Sequence, residues 1–219
     1  FLKETGRTPE HAEMVEAYNR TQGLWVEKPD SAIDYDEVIH LDLGSIRRSV
    51  AGPSRPEQRI DLDKATGTLS LTGETGAARR VAVAGQDHDI GDGDVIIAAI
   101  TSCTNTANPR NMVLAGLIAR NAVNRGLAVK PHVKTSLSPG SRVVARYLEA
   151  SGLQEPLDQL GFQITGFSCS TCNGMSGPLT PENDATIREN DIRAVAVLSG
   201  NRNFSGRIHP LASRNVLAA

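Results

Sequence analysis

From Asp94 onward, short apolar runs alternate with amphipathic ones, and each apolar run gives way to a loop of small and polar residues. DVIIAAI (Asp94 to Ile100) leads into TSCTNTANP, after which a helix is predicted from about Asn111 to Asn124. AVKPHVKT leads into SLSPGS (Ser136 to Ser141) and then a helix through Ala150. FQITGF (Phe162 to Phe167) leads into SCSTCNGMSG, and AVAVLS (Ala194 to Ser199) leads into GNRNFSGR. Repeated strand, loop and helix units predict an α/β fold with a largely parallel sheet flanked by helices. Ligands of such sheets bind at the carboxyl ends of the strands, so these four loops are expected to share one edge.

The chain before Asp94 has a different texture. Thr8 to Gln22 predicts a helix with Thr8 as N-cap, Pro9 at the first helical position and Gly23 as its stop. Met14, Val15, Tyr18 and Gln22 fall on one side of it and are expected to pack. Between Lys28 and Gly93 the chain is rich in Gly, Pro, Asp and Ser, with strands expected at VIHLDL (Val38 to Leu43) and TLSLTG (Thr68 to Gly73). The expected organisation is a lead-in helix and short strands over 1–93, a strand- and loop-rich portion without chemistry of its own, and an α/β portion over 94–219. His40 and His88 carry no more signal than surface histidines.

Composition narrows the class. A chain of 219 residues with 39% hydrophobic content can bury a substantial core. Its net charge of −2, with no basic run, gives no sign of nucleic acid or an anionic membrane surface as partner. No stretch approaches the roughly 20 apolar residues of a spanning helix, and no signal peptide opens the chain. An odd, low cysteine count fits a reducing compartment, so a cytoplasmic location is expected. The start at Phe1 and the uncapped NVLAA end suggest a piece of a longer protein.

The three cysteines are Cys103 and the Cys169–Cys172 pair, which begins 66 residues later. Cys-x-x-Cys turns two thiolates toward one point, yet the motif alone equally serves zinc sites, redox pairs and disulfides. All three cysteines sit on strand-exit loops, which core packing of small hydrophobes does not require, and this favours a shared iron–sulfur cluster. Three thiolates leave one iron of a four-iron cubane without a protein ligand and open to a small molecule. Arg202 and Arg207 follow the last strand. Guanidinium forks match carboxylates, so the expected ligand is a polycarboxylate, with Asn201 and Asn203 as neutral donors.

SCTNT around Cys103, KTSLSPGS (Lys134 to Ser141), GFSCSTCNGMSGPL around the pair and SGNRNFSGRIHP (Ser199 to Pro210) resemble, in this order, the signature blocks of the aconitase family. GLWVE (Gly23 to Glu27) and AGPSRPEQR (Ala51 to Arg59) resemble its aconitase A branch. The resemblance implies an aconitase iron–sulfur-domain-like fold and a 4Fe-4S cluster held by Cys103, Cys169 and Cys172. The implied reaction is the reversible dehydration of a citrate-type tricarboxylate, either citrate and isocitrate in the tricarboxylic acid cycle or 2-methylcitrate in propionate breakdown. It casts Asn201 as a catalytic group, Arg202 and Arg207 as contacts to substrate carboxylates, and Asn105 and Asn173 as neighbours of cluster sulfurs.

By the same resemblance, the chain corresponds to the third domain. The aspartate and histidine residues that protonate the leaving hydroxyl, the serine base and a further arginine belong to other domains of the polypeptide, so this piece alone is expected to be inactive. NPRNMVLAGLIARNA (Asn108 to Ala122) and TCNGMSG (Thr171 to Gly177) lean toward the 2-methylcitrate branch, and SGPL (Ser176 to Leu179) toward aconitase. Alternatives from other classes are a non-catalytic or RNA-binding aconitase-like module, which lacks a basic stripe with aromatics, and a zinc or redox domain.

Overall fold

The computed structural model describes residues 2–3, 6–27, 34–65 and 79–218. The chain forms two compact units, residues 1–46 and 47–219.

In the first unit, helix α1 spans Pro9–Thr21. The Thr8 hydroxyl accepts a hydrogen bond from the His11 N–H at 3.3 Å, and Pro9 fills a position that has no amide to satisfy. Gly23, at φ +70°, lets the chain leave in the left-handed conformation. Arg20 pairs with Glu16 and Glu27 and lies 4.6 Å over the Trp25 ring. The expected packing face is not buried: Met14, Tyr18 and Gln22 are exposed and Val15 is half-buried. The other described residues of this unit form no apolar layer to cover them. VIHLDL is no strand either, because its backbone pairs with no strand among the described residues. The Asp42 carboxylate instead accepts from Gly44 N–H and starts a single 3₁₀ turn at Leu43–Ser45. Thr68 to Gly73 lies outside the described residues.

The second unit is built on a six-stranded sheet. In chain order its strands are β1 (Ser49–Ala51), β2 (Arg59–Asp61), β5 (Val95–Ile100), β6 (Lys134–Leu137), β7 (Ala194–Leu198) and β8 (Ala212–Leu217), arranged β2-β1-β8-β7-β5-β6. The pairs β5–β6, β5–β7 and β7–β8 are parallel, and β1 runs antiparallel to β2 and β8. A separate hairpin joins β3 (Arg80–Ala82) to β4 (Asp89–Gly91). The helices are α2 (Cys103–Thr106), α3 (Pro109–Asn124), α4 (Arg142–Ala150), α5 (Gln154–Gln159) and α6 (Pro181–Glu189).

β5 and β7 are apolar throughout because layers cover both of their faces. One core layer joins Ile96, Ile97 and Leu198 to Ile187 of α6 and Ile90 of β4. Another gathers Leu137 with Met112 and Ala119 of α3, Val144 and Leu148 of α4, and Leu157 of α5. Asn108, Ser141 and Thr180 cap α3, α4 and α6 by accepting from backbone amides in the first turn.

Three strand expectations need correction. β6 starts at Lys134, so Ser136 and Leu137 complete the strand instead of opening the loop, and residues 128–133 are irregular. Phe162 to Phe167 pairs at one point only, through Leu137 N–H to Gln163 O and Thr165 N–H to Leu137 O, each 2.9 Å. Its partner ends there because Pro139 has no amide to continue the ladder. β8 was not expected; its Ser, Arg and Asn mask a strand that is largely buried.

His132 is 4% exposed, with its ring 5.8 Å from that of His88 and its Nε2 3.9 Å from the Asp94 carboxylate. Burial outweighs the pull of Asp94, and with repulsion from His88, Lys130 and Arg80 it holds the pKa below the ordinary histidine value. Burial shifts His209 the same way. The unfolded chain therefore binds these protons more readily, so stability is full above about pH 6.5 and is lost as pH falls toward the depressed folded value. Thermal unfolding monitored by circular dichroism should show Tm falling on acidification below about pH 6.5, with a shallower fall in His132→Gln. An identical slope in the variant would remove His132 from this account.

Candidate functional site

Because β5, β6 and β7 are parallel, their exits lie on one edge of the sheet. Ser199 ties two of them together: its hydroxyl accepts from Thr101 N–H and donates to Thr101 O, both at 3.0 Å. Ser102 follows at φ 83°, ψ 128°, a conformation that costs a residue with a Cβ about 1–3 kcal/mol. This turn starts α2 at Cys103. The buried Thr106 hydroxyl then donates to Ser102 O at 2.8 Å and accepts from Gly140 N–H at 3.0 Å, which seats the β6 exit loop under Cys103. A Cβ at Gly140 would lie 2.8 Å from Cys103 Cα and 2.9 Å from its sulfur, so only glycine fits.

The pair sits on a tight turn. Residues Thr171–Asn173 form a 3₁₀ turn, with Asn173 N–H donating to Ser170 O at 3.1 Å and Met175 N–H to the same oxygen at 3.0 Å. This doubling back places Cys169 Sγ 4.0 Å from Cys103 Sγ across the loops. Cys103 is exposed, Cys169 half-buried and Cys172 buried. The neighbouring Cys169 sulfur, followed by burial, pushes the Cys103 thiol up. Burial also raises Cys172, opposed by hydrogen bonds from the backbone amides of Asn201 and Arg202.

The β7 exit loop closes over the Cys172 side. A Cβ at Gly200 would fall 2.4 Å from Cys172 Sγ, so the backbone itself is the wall of the site. Arg207 Nε donates to Cys172 O and its Nη2 to Asn173 Oδ1, both at 3.1 Å. Asn105 Nδ2 donates to Ser199 O, which directs its amide to the β7 exit. Asn201 and Arg202 are exposed.

The structure thus brings Cys103 next to Cys169, Arg207 onto Asn173 and the Cys172 carbonyl, and Asn105 onto Ser199. Asn203 departs from the expectation: it is fully buried and donates to Asn215 O and Ala51 O, so it is no donor to a ligand. Sequence reasoning also passed over Ser199, Gly140 and Gly200. The glycines in SPGS and SGN were the available signal, since a glycine beside a candidate ligand marks close backbone approach.

The arrangement offers three thiols and two guanidinium groups at one edge of a parallel sheet. A family model described as "Aconitase family (aconitate hydratase)" matches residues 1–219. The chain is 48% identical over 225 residues to aconitate hydratase A of Rickettsia bellii (strain RML369-C), covering all of this chain and 25% of that protein. It is 49% identical over 219 residues to aconitate hydratase A of Cupriavidus necator, again with full coverage of this chain and 25% of that protein. It is also 49% identical over 219 residues to the 2-methylcitrate dehydratase (2-methyl-trans-aconitate forming) of Shewanella oneidensis (strain ATCC 700550 / JCM 31522 / CIP 106686 / LMG 19005 / NCIMB 14063 / MR-1), covering 24% of it. The chain spans about a quarter of the length of these relatives. With the family model matching from the first residue to the last, this α/β chain belongs to the aconitase family.

Proposed function

We propose that this chain is the cluster-bearing part of a cytoplasmic hydro-lyase that reversibly dehydrates a citrate-type tricarboxylate, with a 4Fe-4S cluster held by Cys103, Cys169 and Cys172. The observation that carries the reading is the approach of Cys103 and Cys169 sulfurs to 4.0 Å, one from the β5 exit and the other from the loop after the isolated Leu137–Ile164 bridge, beside a Cys172 walled by bare backbone. The donor set suits the cluster: three thiols, with glycines where a Cβ would intrude on the sulfurs. When bound, the cluster supplies an iron without a protein thiolate, a Lewis acid for the substrate hydroxyl and an adjacent carboxylate.

The chain's own residues have distinct tasks. Arg202 is exposed and makes no side-chain hydrogen bond among the described residues, so its fork is available to a carboxylate. Arg207 is pre-set: Nε on the Cys172 carbonyl and Nη2 on Asn173 fix the plane of its guanidinium, which lowers the ordering cost of gripping a second carboxylate. Asn201, exposed between Gly200 and Arg202 in the same loop, would donate to the substrate. Asn105 and Asn173, each next to a cysteine loop and held by Ser199 O and Arg207, would neighbour the cluster sulfurs. Proton transfer to the leaving hydroxyl and removal of the substrate proton fall to other domains of the polypeptide, so this chain alone turns nothing over. Citrate, isocitrate and 2-methylcitrate share the carboxylates these residues address, and the equal identities to both kinds of relative leave the full active site to select among them.

In the full-length protein, replacing Cys103, Cys169 or Cys172 by serine should abolish the visible absorption of the reconstituted cluster, since an alcohol is a poor substitute for thiolate at iron. A wild-type spectrum in Cys103→Ser would remove that residue from the ligand set. Arg202→Lys keeps charge but loses the fork, so kcat/KM on the preferred tricarboxylate should drop by roughly two to four powers of ten with the cluster spectrum intact. Wild-type kinetics on citrate, isocitrate and 2-methylcitrate would refute the carboxylate clamp.

A further inference from the structure

The β7 exit loop touches the site at both ends, yet its middle is fastened elsewhere. Gly200 backs directly onto the Cys172 sulfur, and the Asn201 and Arg202 amides that follow it in the loop favour the Cys172 thiolate against its burial. Arg207, at the far end, holds the Cys172 carbonyl. Between them Asn203 turns inward and is completely buried. Its Nδ2 donates to Asn215 O in β8 at 2.7 Å and to Ala51 O in β1 at 3.2 Å. These acceptors lie where β1 meets β8, at the Ala51–Leu217 pair, and Asn215 N–H donates in turn to Pro53 O at 2.7 Å. One carboxamide therefore bonds two strands and anchors the loop between its two contacts with Cys172.

We propose that Asn203 is a positioning residue, a tether that holds the Gly200–Arg202 backbone against the Cys172 sulfur and thereby sets the electronic environment of that ligand. This rests on the reading that Cys172 is a cluster ligand. Asn203 touches neither substrate nor cluster; it acts through the two amides that precede it. Its side chain has the one group the position needs, an NH₂ with two protons for two carbonyl oxygens. Apolar residues of the same size supply none, and aspartate would set a charge against both carbonyls. Hydrogen bonds to cluster sulfurs stabilise the reduced, more negative state, so releasing the amides lowers the reduction potential.

The test uses the full-length protein with its cluster reconstituted anaerobically, comparing wild type, Asn203→Ala and Asn215→Ala. Asn215 is as deeply buried as Asn203, but its side chain makes no hydrogen bond among the described residues, so it controls for loss of a buried amide. The midpoint potential is expected to become more negative in Asn203→Ala and to stay at the wild-type value in Asn215→Ala. Equal potentials in all three overturn the tether, as does an equal shift in both variants. If Asn203→Ala does not fold, amide hydrogen exchange in the wild type decides. The Asn201 and Arg202 amides are expected to exchange at least about a hundredfold more slowly than free peptide despite their exposed side chains, and free-peptide rates overturn the proposal. A wild type that takes up no iron and sulfide defeats the proposed function instead, and amide exchange in the cluster-free protein then judges the tether alone.

Discussion

The site depends on backbone reaching sulfur without side chains in between. Gly140 lies against Cys103 and Gly200 against Cys172, each at a separation no Cβ can occupy. That closeness follows from the sheet: parallel strands release their loops on one edge, and Ser199 clamps the exits of β5 and β7 to each other. Once the exits are fixed, thiols far apart in sequence have little freedom left. The positive φ of Ser102 is a local cost of aiming Cys103, borne by the burial of β5 and β7 behind it.

Polar groups inside the second unit serve the same end. Thr106 joins α2 to the β6 exit, Ser138 meets Thr165 at 3.1 Å where the cysteine-pair segment departs, and Asn203 joins the β7 exit to β8 and β1. Each cross-link is short and largely shielded from water, where an unmade hydrogen bond costs about 1–3 kcal/mol. A thiol constellation prepared in advance loses less entropy on taking up a cofactor than one ordered by the cofactor itself.

Much of this was legible in the sequence. The apolar runs of β5 and β7, the cap at Thr8 and the order of the four loops follow from patterning and chemistry that act over a few residues. What escaped was set by contacts distant in sequence. VIHLDL has the alternation of a strand and no partner, while ASRNVL looks polar but becomes β8 because β7 and β1 flank it. α6 had a readable start in Thr180 and Pro181, obscured by the polar run after it. Asn203 shows the limit best: as one of two asparagines beside an arginine it reads as a ligand donor, and only its burial against β1 and β8 makes it a structural anchor.

The central claim is that Cys103, Cys169 and Cys172 together hold an iron–sulfur cluster. Its most direct test is the iron, acid-labile sulfide and zinc content of anaerobically purified full-length protein. The account predicts iron and sulfide in equal amounts, approaching about four of each per chain, with zinc at trace level. Stoichiometric zinc without sulfide would contradict it.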